Sequence, residues 1–270
     1  SFYESPRLAS FLARFNYVYD GKYVLTANAR ADASSKVGEN NRWGFFPSTS
    51  LAWILSEEGF LKDVSFLNNL KLRAGYGVSG NLGAIDSYNS LQLMKPNGVV
   101  SVNGAPTVTM GVIRNANPDL KWEVKRTFNV GLDAGFFQNR LILAADYYHA
   151  KTSDMLYLYD VSVPPFAYNK LLANLGSMEN SGVELGLGIT PLQKKDMELN
   201  INVNVAFQKN KLLSLSGMYN GQYMSAPQYT PIASLNGAGF HGGNNHIVYQ
   251  IVGESLGVFY LPHCTGLVEQ

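Results

Sequence analysis

Between Thr127 and Tyr147 the chain alternates polar and apolar residues almost without exception. Phe128, Val130, Leu132, Ala134 and Phe136 hold one parity, and Thr127, Asn129, Gly131, Asp133 and Gly135 hold the other. Successive side chains of a strand point to opposite faces, so one face is apolar and the other polar or bare. The chain reverses at Gln138-Asn139, and Leu141, Leu143, Ala145 and Tyr147 resume the apolar face. This pattern recurs along the whole chain and constrains the fold class to all-β. A soluble sandwich also alternates, but it buries its apolar faces against a second sheet. Here short reversals alternate with long loops rich in Gly and Asn, which is the signature of a transmembrane antiparallel β-barrel with short periplasmic turns and long extracellular loops.

Composition agrees. Charged residues make up 15%, against roughly 25% in soluble domains, while Tyr (16), Phe (14) and Gly (26) are abundant. A net charge of +1 gives no basic surface for nucleic acid. The longest apolar runs, such as Leu51–Leu55, Leu141–Ala145 and Met155–Tyr159, are far shorter than the ~18–20 residues a membrane helix needs. Any crossing must be by strands. Cys264 is the single cysteine, so no internal disulfide can form. The chain opens at Ser1-Phe2 without an export-signal arrangement, and is expected to be a mature protein or a fragment.

The predicted strands begin with Leu8–Tyr19 and Tyr23–Asp32, joined at Asp20-Gly21-Lys22. In the second strand Tyr23, Leu25, Ala27 and Ala29 share one face, and Thr26, Asn28, Arg30 and Asp32 share the other, which must look into a lumen. After the polar loop Ser34–Arg42 comes Phe45–Leu55. Ser56 to Leu61 reads as a capped helical turn at the short-turn side. Leu70 to Val78 alternates as the next strand, and from Gly80 to about Leu120 no periodicity survives. Beyond Tyr147, Ser153–Gly176 reads as a second long loop containing Pro164-Pro165. Strands Gly182–Thr190 and Met197–Gln208 follow, joined at Pro191–Asp196, with Glu198, Asn200, Asn202 and Asn204 as a lumen-facing polar ladder. A third long loop, Lys209–His246, and a less regular closing stretch, Ile247–Leu261, complete eight to ten strands. No internal repeat or linker divides the chain.

Several blocks of residues carry a resemblance. The run Tyr19 to Lys36, continued by Asn41 to Ser48 and Ala52-Trp53, resembles the SusC/RagA family of TonB-dependent outer-membrane transporters. Leu70 to Gly77, Asn117 to Glu123 and Asn180 to Leu185 are similar to further family blocks in the same order, and only Leu261–Gln270 fits poorly. The resemblance implies a 22-stranded barrel in the bacterial outer membrane, an N-terminal plug, and a SusD-like surface lipoprotein over the outer mouth. Glycan or peptide import would be driven through TonB, and neither a cofactor nor enzymatic chemistry is implied. The plug, the TonB box and the final barrel strands are not among these 270 residues. The whole of 1–270 is therefore expected to be an internal part of one barrel domain.

Candidate sites are weighed against plainer roles. Tyr219, Tyr223 and Tyr229, with Asn220 and Asn236, could stack on and hydrogen-bond to glycan or lid. Trp43, Trp53 and Trp122 read as an interfacial aromatic belt, with sugar stacking as the alternative. Arg30, Asp32, Arg42 and Trp43 collect near one strand mouth, where ion pairing is the plainer role. Glu57 and Glu58 read as solvated carboxylates. His149, His241, His246 and His263 read as surface-loop residues, because no carboxylate or thiolate stands at ligand spacing. Gly75-Tyr76-Gly77 reads as close packing within a strand, since it does not link a strand to a helix. Two rivals remain at this point: a self-contained barrel closing between the Leu8 and Ile247 strands as adhesin or pore, and a secreted glycan-binding module.

Overall fold

The computed structural model describes residues 5–234 and 246–260. The strands are β1 Leu8–Tyr19, β2 Tyr23–Ser34, β3 Trp43–Ile54, β4 Leu67–Asn81, β5 Leu93–Val102, β6 Ala105–Arg114, β7 Glu123–Phe136, β8 Leu141–Asp160, β9 Lys170–Lys194, β10 Met197–Tyr219, β11 Gln222–Ser225, β12 Tyr229–Ser234, β13 His246–Ile251 and β14 Val258–Phe259. One antiparallel sheet of nine strands runs in the order β1-β2-β3-β4-β7-β8-β9-β10-β11. Residues 20–22, 55–66, 137–140 and 195–196 reverse the chain at one end of this sheet, and 35–42, 82–122 and 161–169 reverse it at the other. The asymmetry read from the sequence is therefore present in three dimensions.

Register carries the parity from strand to strand. Ala74 pairs with Val130, Val130 with Tyr147, Tyr147 with Val183, and Val183 with Phe207. One step along, Gly75, Asn129, Tyr148, Gly182 and Gln208 make the next row. A one-residue slip anywhere would exchange the two faces, so the alternation itself fixes the register. The apolar face is bare: Phe11, Phe15, Leu51, Leu72, Phe128, Leu132, Leu143, Tyr147, Leu185, Val203 and Phe207 are all exposed. A contiguous apolar surface of this breadth is foreign to soluble monomers.

Several loops prove to be strand. Residues 93–114, inside the stretch without periodicity, form the separate hairpin β5–β6. The second long loop shrinks to 161–169 because β8 continues to Asp160 and β9 begins at Lys170. The described part of the third is divided among the end of β10, β11, β12 and the first residue of β13, and residues 235–245 of it lie outside the described residues. At 20, 25 and 23 residues, β8, β9 and β10 greatly exceed the ~9–11 needed to cross a bilayer. The closing stretch is also corrected: β13 pairs with β12 and β14 in a small sheet of its own. Among the described residues β1 pairs only with β2, so the closure between the Leu8 and Ile247 strands that the rival self-contained barrel requires is not made.

The buried clusters lie at the long-loop end. Val37, Phe46, Ile85, Leu120 and Trp122 form one, and Tyr159, Leu171, Ala173 and Met224 form another. Phe46 fits because Gly44 and Gly80 leave room for its ring; a Cβ at either would collide with it. Trp122 packs edge-on against Phe46 at 5.4 Å, which corrects its assignment to an interfacial belt.

Candidate functional site

The polar face of the sheet is an organised surface. At its centre Arg73 on β4 donates from Nε to Asp133 Oδ2 at 2.8 Å and from Nη2 to Asp133 Oδ1 at 2.9 Å, a two-point grip on β7. The same Nη2 reaches Asp146 on β8 at 3.1 Å. It can cross β7 because Gly131 lies between, where a Cβ would meet the Asp146 carboxylate and the guanidinium. Lys71 adds a second cation on Asp133 at 3.1 Å. Three strands are thus tied by charge-assisted hydrogen bonds, roughly twice as strong as neutral ones.

The predicted lumen-facing residues extend this surface. Thr26 donates to Asn16 at 2.9 Å, Asn28 accepts from Arg14 at 2.7 Å and donates to Ser48 at 3.1 Å, and Arg30 pairs with Asp32 at 2.7 Å. Asn200 accepts from Thr190 at 2.7 Å, and Asn202 and Asn204 pair with Gly188 and Gly186, whose missing side chains leave them uncovered. Asp32 is buried against Arg30, whereas Trp43 occupies the opposite face and stacks on Phe11 at 6.0 Å. The expected four-residue group at this strand mouth is accordingly divided between the two faces.

At the long-loop end three buried asparagines hold the segment before β7 against the β8–β9 pair. Asn115 donates to the Tyr168 and Lys170 carbonyls at 2.6 and 2.9 Å and accepts from the Ala167 and Tyr168 amides at 3.1 Å, which satisfies all four of its hydrogen-bonding positions. Asn117 donates to Leu172 O at 2.7 Å and accepts from the Tyr219 hydroxyl at 3.2 Å. Asn174 donates to the Lys121 and Asp154 carbonyls at 2.8 and 2.9 Å and accepts from the Lys121 amide at 2.9 Å. Loop 35–42 docks through Gly38, whose amide donates to Leu120 O at 2.7 Å and whose Cα lies against the Pro118 carbonyl. Beside this join a cavity of about 670 Å³ is lined by Arg7, Lys36, Glu39, Arg42, Tyr88 and Leu91 among others.

The predicted contact residues lie at this same end but do not form one cluster. Tyr219 is half-buried on Asn117 and, with Asn220, borders a smaller groove of about 280 Å³ with Asp119, Lys121 and Asn174. Tyr223 pairs with Met218 rather than Tyr219, so it faces the other way and is exposed. Tyr229 belongs to an aromatic group with Tyr260 and Tyr249, which the sequence reading missed. Asn236, His241, Asn244, Asn245, His263 and Cys264 lie outside the described residues. His149 and His246 stand on strands β8 and β13 instead of in loops.

At the short-turn end Glu58 accepts from the Tyr23 hydroxyl at 2.7 Å and from Trp53 Nε1 at 3.0 Å, with Lys22 Nζ at 3.5 Å. The Tyr23 and Trp53 hydrogen bonds hold its carboxyl below the ordinary range. Glu57 is exposed as expected, but Glu58 ties together the turns 20–22 and 55–66 and is no solvated carboxylate. The expected helical turn is a short 3-10 turn at Leu55–Glu57 without a side-chain cap, since Ser56 lies within it.

A sheet with one broad exposed apolar face, one ion-paired polar face, short reversals at one end and long ones at the other is the wall of a transmembrane β-barrel. The chain belongs to the TonB dependent receptor-like, beta-barrel family, whose model matches residues 2–262. It is 37% identical over 217 residues to a TonB-dependent receptor of Formosa agariphila, covering 80% of this chain and 22% of that protein. To TonB-dependent receptor SusC of Bacteroides thetaiotaomicron it is 34% identical over 218 residues, with 80% and 22% covered. Among solved structures it is similar to the RagAB peptide importer in its open-open state, with TM-score 0.76, 28% identity, 94% of this chain covered and 25% of that one. The chain thus spans about a fifth of the length of these curated relatives.

Proposed function

We propose that this chain is one stretch of the wall of a longer outer-membrane barrel that imports nutrient, driven from the inner membrane through TonB. The carrying observation is the two-sidedness of the nine-stranded sheet. Its bare apolar face suits acyl chains, and its polar face, from Thr26, Asn28, Arg30 and Asp32 through Arg73 and Asp133 to Asn200, Asn202 and Asn204, suits a plug or a hydrated passage. The function is transport, with no catalytic group required. Nutrient would be oligosaccharide or peptide. Likeness to the RagAB peptide importer supports peptide, and a 670 Å³ cavity lined by both cations and a carboxylate supports a charged chain such as a peptide.

A SusD-like lipoprotein would cover the long-loop end, meeting the exposed Tyr223 and Tyr229 and the β5–β6 hairpin, whose Val99, Val108 and Met110 are bare. Tyr219 and Asn220 would instead shape the groove beneath. The test is deletion of the gene in its host, followed by growth on peptides and on oligosaccharides as sole nutrient. Loss of growth on one class, restored by the intact gene, is the expected result. Unimpaired growth and uptake on every nutrient class supporting the parent would overturn the import reading. Replacement of Tyr223 and Tyr229 by alanine is expected to weaken lid binding or uptake with barrel insertion intact.

A further inference from the structure

Apart from Thr49 in mid-strand and Lys194 at the short-turn end, the outward face is apolar from β1 to β10 except in one place. Where β7, β8, β9 and β10 leave the apolar band toward the long-loop end, the register sets Arg126 beside Lys151, Lys151 beside Glu179, and Glu179 beside Lys211. One outward row nearer the band, Phe128, His149, Ser181 and Lys209 stand side by side. The row below that is Val130, Tyr147, Val183 and Phe207, wholly apolar. Arg126, Lys151 and Lys209 are exposed. Among the described residues none of these four cations makes a salt bridge, and Glu179 makes none.

Like charges directly opposite on one sheet face are destabilising, and among the described residues no salt bridge relieves the Arg126–Lys151 pair. The patch spans four neighbouring strands, about 14 Å at ~4.8 Å per strand interval, which matches a large headgroup better than a single small ion. It sits where an outer leaflet's polar layer begins, with Phe128, Tyr147 and Phe207 just below to meet acyl chains. Arg126 is held in place by Nη1 donating to Ser153 Oγ at 3.0 Å.

We propose that Arg126, Lys151, Lys209 and Lys211 form a binding site on the outer barrel wall for the phosphorylated headgroup of an outer-leaflet lipid. Arg126 offers a planar two-point donor to phosphate and the lysines offer point charges. Glu179 spaces the cations, so that two phosphates some distance apart are accommodated better than one. The inference rests on the reading that this face contacts a bilayer.

The test uses the intact protein in phosphatidylcholine nanodiscs containing either lipid A, which carries two phosphates, or the same lipid dephosphorylated. After re-extraction in mild detergent, mass spectrometry measures the retained lipid. The expected result is retention of lipid A over its dephosphorylated form by roughly tenfold or more, diminished by high salt. Arg126→Gln with Lys151→Gln, Lys209→Gln and Lys211→Gln should abolish that preference, while the set Lys151→Arg, Lys209→Arg and Lys211→Arg should keep it. Insertion of the parent protein with equal retention of both lipids would overturn the site and leave the bilayer reading standing. Failure of the parent to enter nanodiscs at all would overturn both.

Discussion

Single side chains at the two ends of the wall do different work. Glu58 joins two short turns through Tyr23 and Trp53, and those hydrogen bonds lower its pKa from the ordinary 4.5. A carboxylate with a depressed folded-state pKa gives stability that is complete above the unfolded value and lost as pH falls through the folded one. In a protein whose other tryptophans are replaced, Trp53 fluorescence is predicted to hold steady down to about pH 4.5 and change below it. Glu58→Gln should remove that acid transition. At the other end, Asn117→Ala would strand the Leu172 carbonyl and the Tyr219 hydroxyl. A buried unpaired polar group costs about 1–3 kcal/mol. The expected outcome is faster hydrogen exchange in 82–122 and 170–175, with residues 55–66 unchanged. None of these partnerships was legible in the sequence. Glu58 looked solvated beside Glu57, and Asn115 and Asn117 passed as loop composition, because their partners lie more than fifty residues away.

Elements were legible where the membrane dictates their pattern and obscure where it does not. The alternation in β7 and β8 is forced by lipid on one side and a polar space on the other, so the hairpin and its register could be read directly. Beyond the band both faces of β8, β9 and β10 meet water or loops, the parity rule lapses, and the strands continue unseen to Asp160, from Lys170 and to Tyr219. A local signal did exist for two missed hairpins. Asn103-Gly104 and Asn220-Gly221 both have positive φ at each residue, as Asp20-Gly21 has, and Asn-Gly is the strongest two-residue hairpin signal. The β5–β6 pair stands apart from the main sheet. Deleting 93–114 is predicted to leave outer-membrane insertion and heat-modifiability intact while abolishing co-purification of the proposed SusD-like lipoprotein. Co-purification at parental levels would remove the hairpin from the docking surface.

For the whole molecule the fold class, the two faces and the polarity of the turns all followed from the sequence, whereas the arrangement of the long-loop end did not. That end is held by side chain to backbone hydrogen bonds and by clusters such as Phe46 with Trp122, which carry no period. The two faces predict opposite tolerances. Val203→Arg on the apolar face should cost about 2–4 kcal/mol near the bilayer midplane. Asn202→Arg, one residue away on the polar face, should cost far less, as denaturant titration in lipid would reveal.

Labelling intact cells with a membrane-impermeant maleimide tests whether the wall crosses the outer membrane with its long-loop end outward. Cys264 is first replaced by serine, and a single cysteine is placed at Ser162 in the loop 161–169 or at Lys195 in the turn 195–196. The Ser162→Cys protein is predicted to be labelled on intact cells and the Lys195→Cys protein only after the outer membrane is permeabilised. Equal labelling of the two on intact cells, or labelling of Lys195→Cys alone, would contradict that orientation.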